Sequence, residues 1–511
     1  MKAVSAAQMR TLDARTIAAG ISGDLLMERA GQGAAEAIAR WLDEFPAVHR
    51  RRIVILAGKG NNGGDAYVAA RHLLVLTALP VVLYPLVSPA QLTGDAAAHA
   101  ARLPGAVTVF PAGMLPDDAF RPGDVLVDGL LGTGIKGPLR PPYPEWIDRI
   151  NASRLPVASL DLPSGLDGDT GEVATVAVRA DLTVTIALPK RGLFLGRGPE
   201  LCGRLQCVEI GIPDAFIADI PASETMTFAA DVIPYLDRIP ADCHKNSRGR
   251  VAVCGGSAAY AGAPLLAARC AMRTGAGYIR LLVPNAAELP GNRPDSLVVN
   301  RLPGTATGFG VHSGDAVRAG LEKADALVLG PGLGAGPDQA DFLAALQLGT
   351  LPTVIDADAL NMLAAAPDRM GLGPTMVLTP HPGEMRRLLD GFRLPELISA
   401  DRLEQAAGLA GKTGAVVVLK GHRTVIAAPD GRIAVNSSGT PGLAKAGSGD
   451  CLSGVIGTLL AQGLEPFAAA TAGVFLHGYA AELSPYGCRG LTPDDLPELL
   501  AAALRQLSPF A

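Results

Sequence analysis

The chain has 511 residues, too many for one ordinary core and enough for two α/β domains. Its formal charge of −5, with no basic excess in either half, argues against a nucleic-acid or membrane-surface role, so neither nucleic acid nor membrane is expected as a partner. Seven cysteines, odd in number and without a C-x-x-C, suggest neither a disulfide framework nor a zinc site, and a reducing cytoplasm is the expected compartment.

Helix-spaced apolar positions predict two amino-terminal helices, over 5–19 and 24–42; Arg10, Asp13 and Arg15 interrupt the first and leave no signal-peptide core. The longest apolar run, Leu73 to Val87, is cut by Pro80 and Pro85 and is too short to span a bilayer. The run 52–57 reads as a buried parallel strand, followed by the polar loop Gly58-Lys59-Gly60-Asn61-Asn62-Gly63-Gly64-Asp65 and a further helical pattern. Asn amides and carbonyls in such a loop can hold an oxygen-seeking cation, and glycine N–H groups can approach phosphate; the plainer reading is a turn. A second strand, 124–128, opens onto Gly129 to Pro138. This stretch contains a G-x-G-x-x-G, but the prolines at 138, 141, 142 and 144 forbid the long helix that a dinucleotide fingerprint needs. A third strand, 157–161, ends in Leu162-Pro163-Ser164-Gly165-Leu166-Asp167-Gly168-Asp169-Thr170-Gly171. Polar loops that converge at the carboxyl edge of a doubly wound sheet make a ligand site. Strands over 182–188 and 205–210 close this half, and 214–240 reads as a linker, with the boundary near residue 222 and domains at 1–222 and 223–511.

Together, Gly60 to Asp65, Asp128 with Gly132-Thr133-Gly134, and Asp161 to Gly171 resemble the epimerase domain of the NAD(P)H-hydrate repair enzymes. The resemblance implies a Rossmann-like three-layer domain in which Asn62, Asp128 and Ser164 hold a potassium ion. It also places Asn61, Asn62, Gly63, Gly64 and Asp65, the loop Gly132, Thr133, Gly134, Ile135, Lys136, Gly137 and Pro138, and Asp161 against the hydrated nucleotide. Ala66 stands where the family usually has glycine.

The second half begins at His244-Lys245-Asn246 and repeats the strand-plus-loop pattern. Strands 251–254, 326–329, 353–355 and 376–378 lead respectively into Gly255-Gly256-Ser257, Gly330-Pro331-Gly332-Leu333-Gly334, Asp356-Ala357-Asp358-Ala359-Leu360-Asn361 and Thr379-Pro380-His381-Pro382-Gly383-Glu384. Pro264 suits the first turn of an alanine-rich helix that closes at Gly275. A strand over 416–419 leads into Lys420-Gly421-His422-Arg423-Thr424, and Pro429-Asp430-Gly431 marks a hairpin. Gly447-Ser448-Gly449-Asp450 then precedes a helical run from Leu452 to Gln462. Its amides can cradle an anion, and a carboxylate there suits removal of a proton from an attacking hydroxyl; read alone, it is equally an ordinary glycine loop with Asp450 as helix cap.

This ordered set resembles the ADP/ATP-dependent NAD(P)H-hydrate dehydratases, a ribokinase-like branch, over residues 240–505. The usual glycine after His244-Lys245 is Asn246 here. The resemblance implies hydrate contacts at Ala263, Gly334, His381 and Asp450, and adenine-nucleotide contacts at Lys420, Gly421, His422, Arg423, Thr424 and Gly449. It implies a bifunctional enzyme, and the chemistry of a hydroxyl that must be phosphorylated or reversibly lost makes Asp450 and Asp161 the expected catalytic groups. The substrates are the hydrates of NADH and NADPH together with ADP or ATP, magnesium accompanies the nucleotide, and a homo-oligomer is expected. A vitamin or sugar kinase fused to a ligand-binding domain is the alternative enzyme, and it would release a phosphorylated product; non-catalytic nucleotide sensing would show no turnover.

Overall fold

A computed structural model describes residues 1–46, 48, 50–236, 238–334 and 339–508. The chain divides into two compact units, Met1–Met226 and Thr227–Ala511.

The first unit is built on seven parallel strands: β1 (Arg52–Ala57), β2 (Val81–Pro85), β3 (Thr108–Val109), β4 (Asp124–Gly129), β5 (Val157–Leu160), β6 (Leu182–Ile186) and β7 (Arg204–Val208), in the order β3-β2-β1-β4-β5-β6-β7. Both faces of β1 are buried, as its unbroken apolar run demands. Ile53 and Ile55 join Ala34 and Ile38 of the helix Gly23–Leu42 and Leu73 of the helix Asn61–Leu76. Val54 and Leu56 point the other way, to Trp146, Ile147 and Ile150 of the helix Tyr143–Ser153. The result is three layers. The strand order reverses beside β1 and β4, so the loops after β1, β4 and β5 gather at one edge, which is where this class of sheet binds ligands.

The second unit follows the same logic. Its strands are β8 (Glu224–Thr227, whose last residue opens the unit), β9 (Arg250–Cys254), β10 (Tyr278–Pro284), β11 (Val298–Leu302), β12 (Ala326–Leu329), β13 (Thr353–Ile355), β14 (Met376–Leu378), β15 (Val416–Leu419), β16 (Val425–Ala427) and β17 (Ile433–Asn436). The order is β11-β10-β9-β12-β13-β14-β15-β16-β17-β8, parallel from β11 to β15 and antiparallel through the β15-β16-β17 hairpins. One face packs the helices Ala263–Thr274, Ser448–Ala461 and Pro466–Glu482 into a single core with alternate strand residues such as Val251, Val253, Val328 and Val418. Gly454 lets two of these helices touch backbone to backbone: a β-carbon there would lie 2.0 Å from the Ala267 carbonyl oxygen. Leu360 and Leu363 of the helix Asp358–Ala365, Leu388 of Pro382–Gly391 and Leu409 of Arg402–Thr413 are buried in the same unit.

Two departures from expectation bear on function. The segment 58–65 is mostly not a loop: the helix begins at Asn61 behind an uncapped Gly60, so the carbonyls of 61–64 belong to a helical turn and side chains and first-turn N–H groups remain to reach a ligand. The carboxy-terminal glycine stretch likewise turns helical at Ser448, which puts Asp450 on the first turn. Elsewhere, Glu224–Thr227 makes a strand within the expected linker, and no helix among the described residues is long and apolar enough to cross a membrane.

Candidate active sites

In the first unit a cleft of about 840 Å³ opens at the carboxyl edge of the sheet, and most of the expected residues lie on its wall. These are Asn61, Asn62 and Asp65, the run Gly132 to Pro138, and Asp161. Gly63 and Gly64 are not on that wall; a β-carbon at Gly63 would lie 2.0 Å from the Gly58 carbonyl oxygen, and one at Gly64 2.4 Å from the Met27 sulfur, so both serve close packing. Ala66 is fully buried in the core, its methyl facing Gly129 and not the cleft.

Asp161 directly follows β5 in a left-handed conformation, φ +65°, with its N–H held by the Val184 carbonyl at 2.8 Å. Its carboxylate accepts a hydrogen bond from the ammonium of Lys190, which is only 1 % exposed and also donates to the Ile186 carbonyl at 2.7 Å. Sequence reasoning missed Lys190. It lies past the strand in Pro189-Lys190-Arg191, where nothing marks it as more than a solvated cation. Burial, then the nearby charges of Asp161 and Asp13, push the Asp65 carboxyl well above its ordinary range, and Lys190 opposes this.

Behind the cleft lies a network built wholly from oxygen and N–H groups. Asp128 is completely buried; its Oδ1 accepts from the Ser164 hydroxyl at 2.6 Å and the Leu130 N–H at 3.2 Å, and its Oδ2 from the Ser159 hydroxyl at 2.8 Å and the Ser164 N–H at 2.9 Å. Burial raises its carboxyl, and these bonds offset only part of the rise. Asn62 donates to the Leu131 carbonyl at 2.9 Å, and its buried Oδ1 has no hydrogen-bond partner. A buried amide oxygen without a donor is costly, and a cation is a natural partner for it. The three residues expected to hold potassium thus stand within one connected set, joined through Leu131, whose N–H donates to the Ser164 hydroxyl at 2.9 Å. Only one carboxylate belongs to it, and among the described residues no three His, Cys, Asp or Glu side chains converge as a metal-binding group.

In the second unit the first turn of the helix Ser448–Ala461 carries Asp450, behind Gly447 at φ +96° with no side-chain cap. The Ser448 N–H donates to the Lys445 carbonyl at 3.2 Å, so not all the expected amides face an anion. A side chain at Gly449 would meet the Lys420 ammonium at 3.2 Å. That ammonium bonds Asp356 at 2.7 Å, lies 3.9 Å from Glu384, and shares Asp356 with the Ser453 hydroxyl at 2.5 Å. Burial would raise Asp356, but Lys420 and Ser453 outweigh it and hold the carboxyl below its ordinary value. Asp450 has no such partner. Burial, then the charge of Asp356, push it up to about 7 in spite of Lys420, with Asp358 and Glu384 adding to the rise.

The other expected residues gather around this cluster. The Gly334 N–H donates to Asp358 at 2.8 Å, and Ala263 opens its helix beside Gly332. His381 caps the helix Pro382–Gly391: its Nδ1 accepts from the Gly383 N–H at 2.9 Å, and its own N–H donates to Glu384 at 2.8 Å. Its Nε2 lies 3.5 Å from the Glu384 carboxylate, so Glu384 faces both the backbone N–H and the ring of His381. Lys420 points into the carboxylates, whereas Arg402 holds the backbone of 419–423 through its carbonyls, with His422 O at 2.5 Å. Arg423 turns inward to the Ser437 carbonyl at 2.6 Å and Thr424 to Gly421 at 2.9 Å, so the side chains of both are committed to the fold and reach a nucleotide only through backbone. Asp356 and Glu384 lie inside recognised motifs and Ser453 in the helical run after Asp450, yet their convergence with Lys420 depends on strand order that sequence spacing does not display.

Two doubly wound sheets, each with a buried lysine–carboxylate pair and a second titrating carboxyl at its carboxyl edge, define a two-site α/β enzyme. A family profile described as NAD(P)H-hydrate dehydratase matches residues 251–500, and one described as YjeF-related protein N-terminus matches 23–192. A bifunctional NAD(P)H-hydrate repair enzyme of Moorella thermoacetica is 39 % identical over 99 % of this chain and 97 % of its own length. One from Salinibacter ruber is 38 % identical over 97 % and 95 %. A ribokinase-like superfamily protein from Enterococcus faecalis shares the fold of the carboxy-terminal part, with a TM-score of 0.50 and 24 % identity, covering 56 % of this chain and 98 % of that one. The chain belongs to the bifunctional NAD(P)H-hydrate repair enzymes and unites an epimerase with a dehydratase in one polypeptide.

Proposed function

We propose that the two activities divide between the two units, epimerisation in Met1–Met226 and ADP-dependent dehydration in Thr227–Ala511. The observation that carries this reading is that each unit has its own carboxylate–lysine cluster, Asp161 with Lys190 and Asp356 with Lys420 beside Asp450. The hydrate bears a hydroxyl at C6 of the reduced nicotinamide ring, next to N1. In the first unit Asp161 moves protons as that oxygen leaves and returns, with residues 61, 62, 65 and 132–138 holding the nucleotide in the cleft.

In the second unit Asp450 takes the C6 hydroxyl proton while that oxygen receives a phosphoryl group from ADP. Hydroxide is a poor leaving group and phosphate a good one; loss of phosphate from C6 and a proton from C5 restores the dihydropyridine and leaves AMP. The ammonium of Lys420 and the first-turn backbone at Gly449 face the charge on the transferring group. Ala263, Gly334 and the half-exposed ring of His381 hold the hydrate, and the backbone of 421–424 receives the adenine nucleotide. Magnesium would enter with the nucleotide, held mainly by its phosphate oxygens, and would supply positive charge there; among the described residues no three carboxylates converge to hold it on their own. ATP is the alternative donor. The seven cysteines are all free thiols, which suits a cytoplasmic enzyme.

Incubating the full chain with mixed R and S hydrates, ADP and magnesium should convert both epimers to NAD(P)H, read by near-ultraviolet absorbance, with one phosphate released per molecule restored. Consumption of the S form alone would remove the epimerase half of the proposal, and a stable phosphorylated product would favour a kinase.

Potassium fits the oxygen set of Asn62, Asp128 and Ser164, where the unpartnered Asn62 Oδ1 awaits a cation. When bound, it supplies positive charge that orders the loop wall beside the substrate. Replacing potassium by a bulky organic cation should slow epimerisation several-fold without affecting dehydration of the S form. Asn62→Leu should remove that cation response, and an unchanged response would detach Asn62 from the site.

A further inference from the structure

Two carboxyls that line the epimerisation cleft, Asp13 and Asp95, have no place in this scheme, and Asp13 is the one that interacts with Asp161 and Lys190. The helix Ala6–Ala18 buries Met9, Leu12 and Thr16, and Asp13 lies on the same stripe, one turn from each of Met9 and Thr16. An acid on the inner face of a helix is costly unless it has work to do there. Asp13 is half-buried and lines the same cleft as Asp65, Asp161 and Lys190, so four different segments bring three carboxyls and one ammonium around one substrate-sized space. The helix is fixed in place: Ser5 and Gln8 form a capping box at its start, and the Ala6 N–H donates to Asp169 at 2.6 Å, in the loop that Asp161 begins.

We propose that Asp13 is the second catalytic carboxyl of this site: it protonates the departing C6 oxygen on one face of the ring, while Asp161, bonded to Lys190, takes a proton from the water that adds on the other. The proposal rests on the epimerase reading of this unit. In the first step the C6–O bond breaks, its electron pair goes to oxygen, and that oxygen takes the Asp13 proton and leaves as water; the N1 lone pair closes a C6=N1 double bond. In the second, water adds to C6 from the opposite face, the π pair returns to N1, and Asp161 accepts the released proton. Solvent in the open cleft resets the two carboxyls, and the reverse reaction exchanges their roles. No oxidant or reductant is needed.

Electrostatics support this assignment. Burial pushes the Asp13 carboxyl up to about 6, Asp161 adds to the rise, and Lys190 opposes it. The remaining charged neighbours are Asp65, which couples to Asp13, and Arg10 on the same helix. Lys59, Asp95, Lys136 and Arg140 also line the cleft, whose cations can bind a nucleotide's phosphates.

The test is chromatographic epimer interconversion by the full chain between about pH 5 and 9, less the uncatalysed rate, with S-hydrate dehydration by the same sample as the control for folding. Asp13→Asn should lower epimerisation by at least about 100-fold and leave dehydration unchanged. The wild-type rate should fall as pH rises above about 6, where Asp13 loses its proton, and the residual rate of Asp13→Asn should lack that limb. Asp13→Glu should recover part of the rate together with the limb. A rate in Asp13→Asn within twofold of wild type, or a low rate that keeps the limb, overturns the proposal. Failure of the wild-type chain to epimerise would overturn the underlying reading instead.

Discussion

Asp450→Asn should abolish dehydration of the S hydrate while epimerisation proceeds at the wild-type rate. The carboxyl stands on the first turn of a helix whose amino end has no side-chain cap, beside an ammonium that Asp356 already neutralises. An amide cannot take the hydroxyl proton, and general-base losses of this kind run from about 100- to 10,000-fold. The pH dependence adds a second reading. Burial holds the Asp450 carboxyl up to about 7, so the base form is scarce in mild acid. Dehydration should therefore rise with pH through about 7 and level above it, and the residual activity of Asp450→Asn should lack that rise. Single-turnover absorbance with purified S hydrate, ADP and magnesium measures both. Full activity in the variant would remove Asp450 from the chemistry.

What could be seen in advance followed from burial. Runs such as 53–57, 125–127 and 326–329 are apolar on every residue because parallel strands are covered on both faces, and the polar loops behind them could be recognised by contrast. Helix starts were harder. Asn61 and Ser448 begin helices behind glycines at positions where a Ser, Thr or Asp cap would ordinarily give the signal. Both misreadings fall at helix starts that follow glycine and have no side-chain cap, so the sequence carries no polar residue to mark them. Strand Val81–Pro85 was hidden inside a run interrupted by prolines that serve as its boundaries, and Tyr278–Pro284 carries Arg280 among its apolar residues. The residues that complete each site are separated by tens of positions: Asp13, Asp161 and Lys190 in one, Asp356, Glu384 and Lys420 in the other. Strand order brings them together, and a charged residue read singly has no direction.

Removing Lys190 should damage the first unit more than removing its partner. Lys190→Met leaves Asp161 and Asp65 facing one another in a buried site without their countercharge, and breaking a buried ion pair in this way costs about 3–5 kcal/mol. Asp161→Asn leaves an ammonium that still has the Ile186 carbonyl and the charges of Asp65 and Asp13 nearby, so its cost should be smaller. Asp161→Asn combined with Lys190→Met removes both charges together and should recover much of the stability lost in Lys190→Met, a non-additive result that a merely crowded site would not give. All three should lose epimerisation by at least about 100-fold. Both tryptophans of the chain, Trp41 and Trp146, lie in the core of this unit, so their fluorescence in denaturant reports its unfolding alone. The sign with pH is also fixed. A carboxyl raised in the folded state, as Asp65 is, binds a proton there more tightly than in the unfolded chain, so stability falls as pH climbs from its unfolded pKa toward the raised one. Lys190→Met removes the charge that moderates this rise, and its deficit should therefore widen from acid to neutral pH. Equal stability of Lys190→Met and wild type at neutral pH would show that the ammonium does not neutralise these acids, and the assignment of Asp161 as the proton carrier would fall with it.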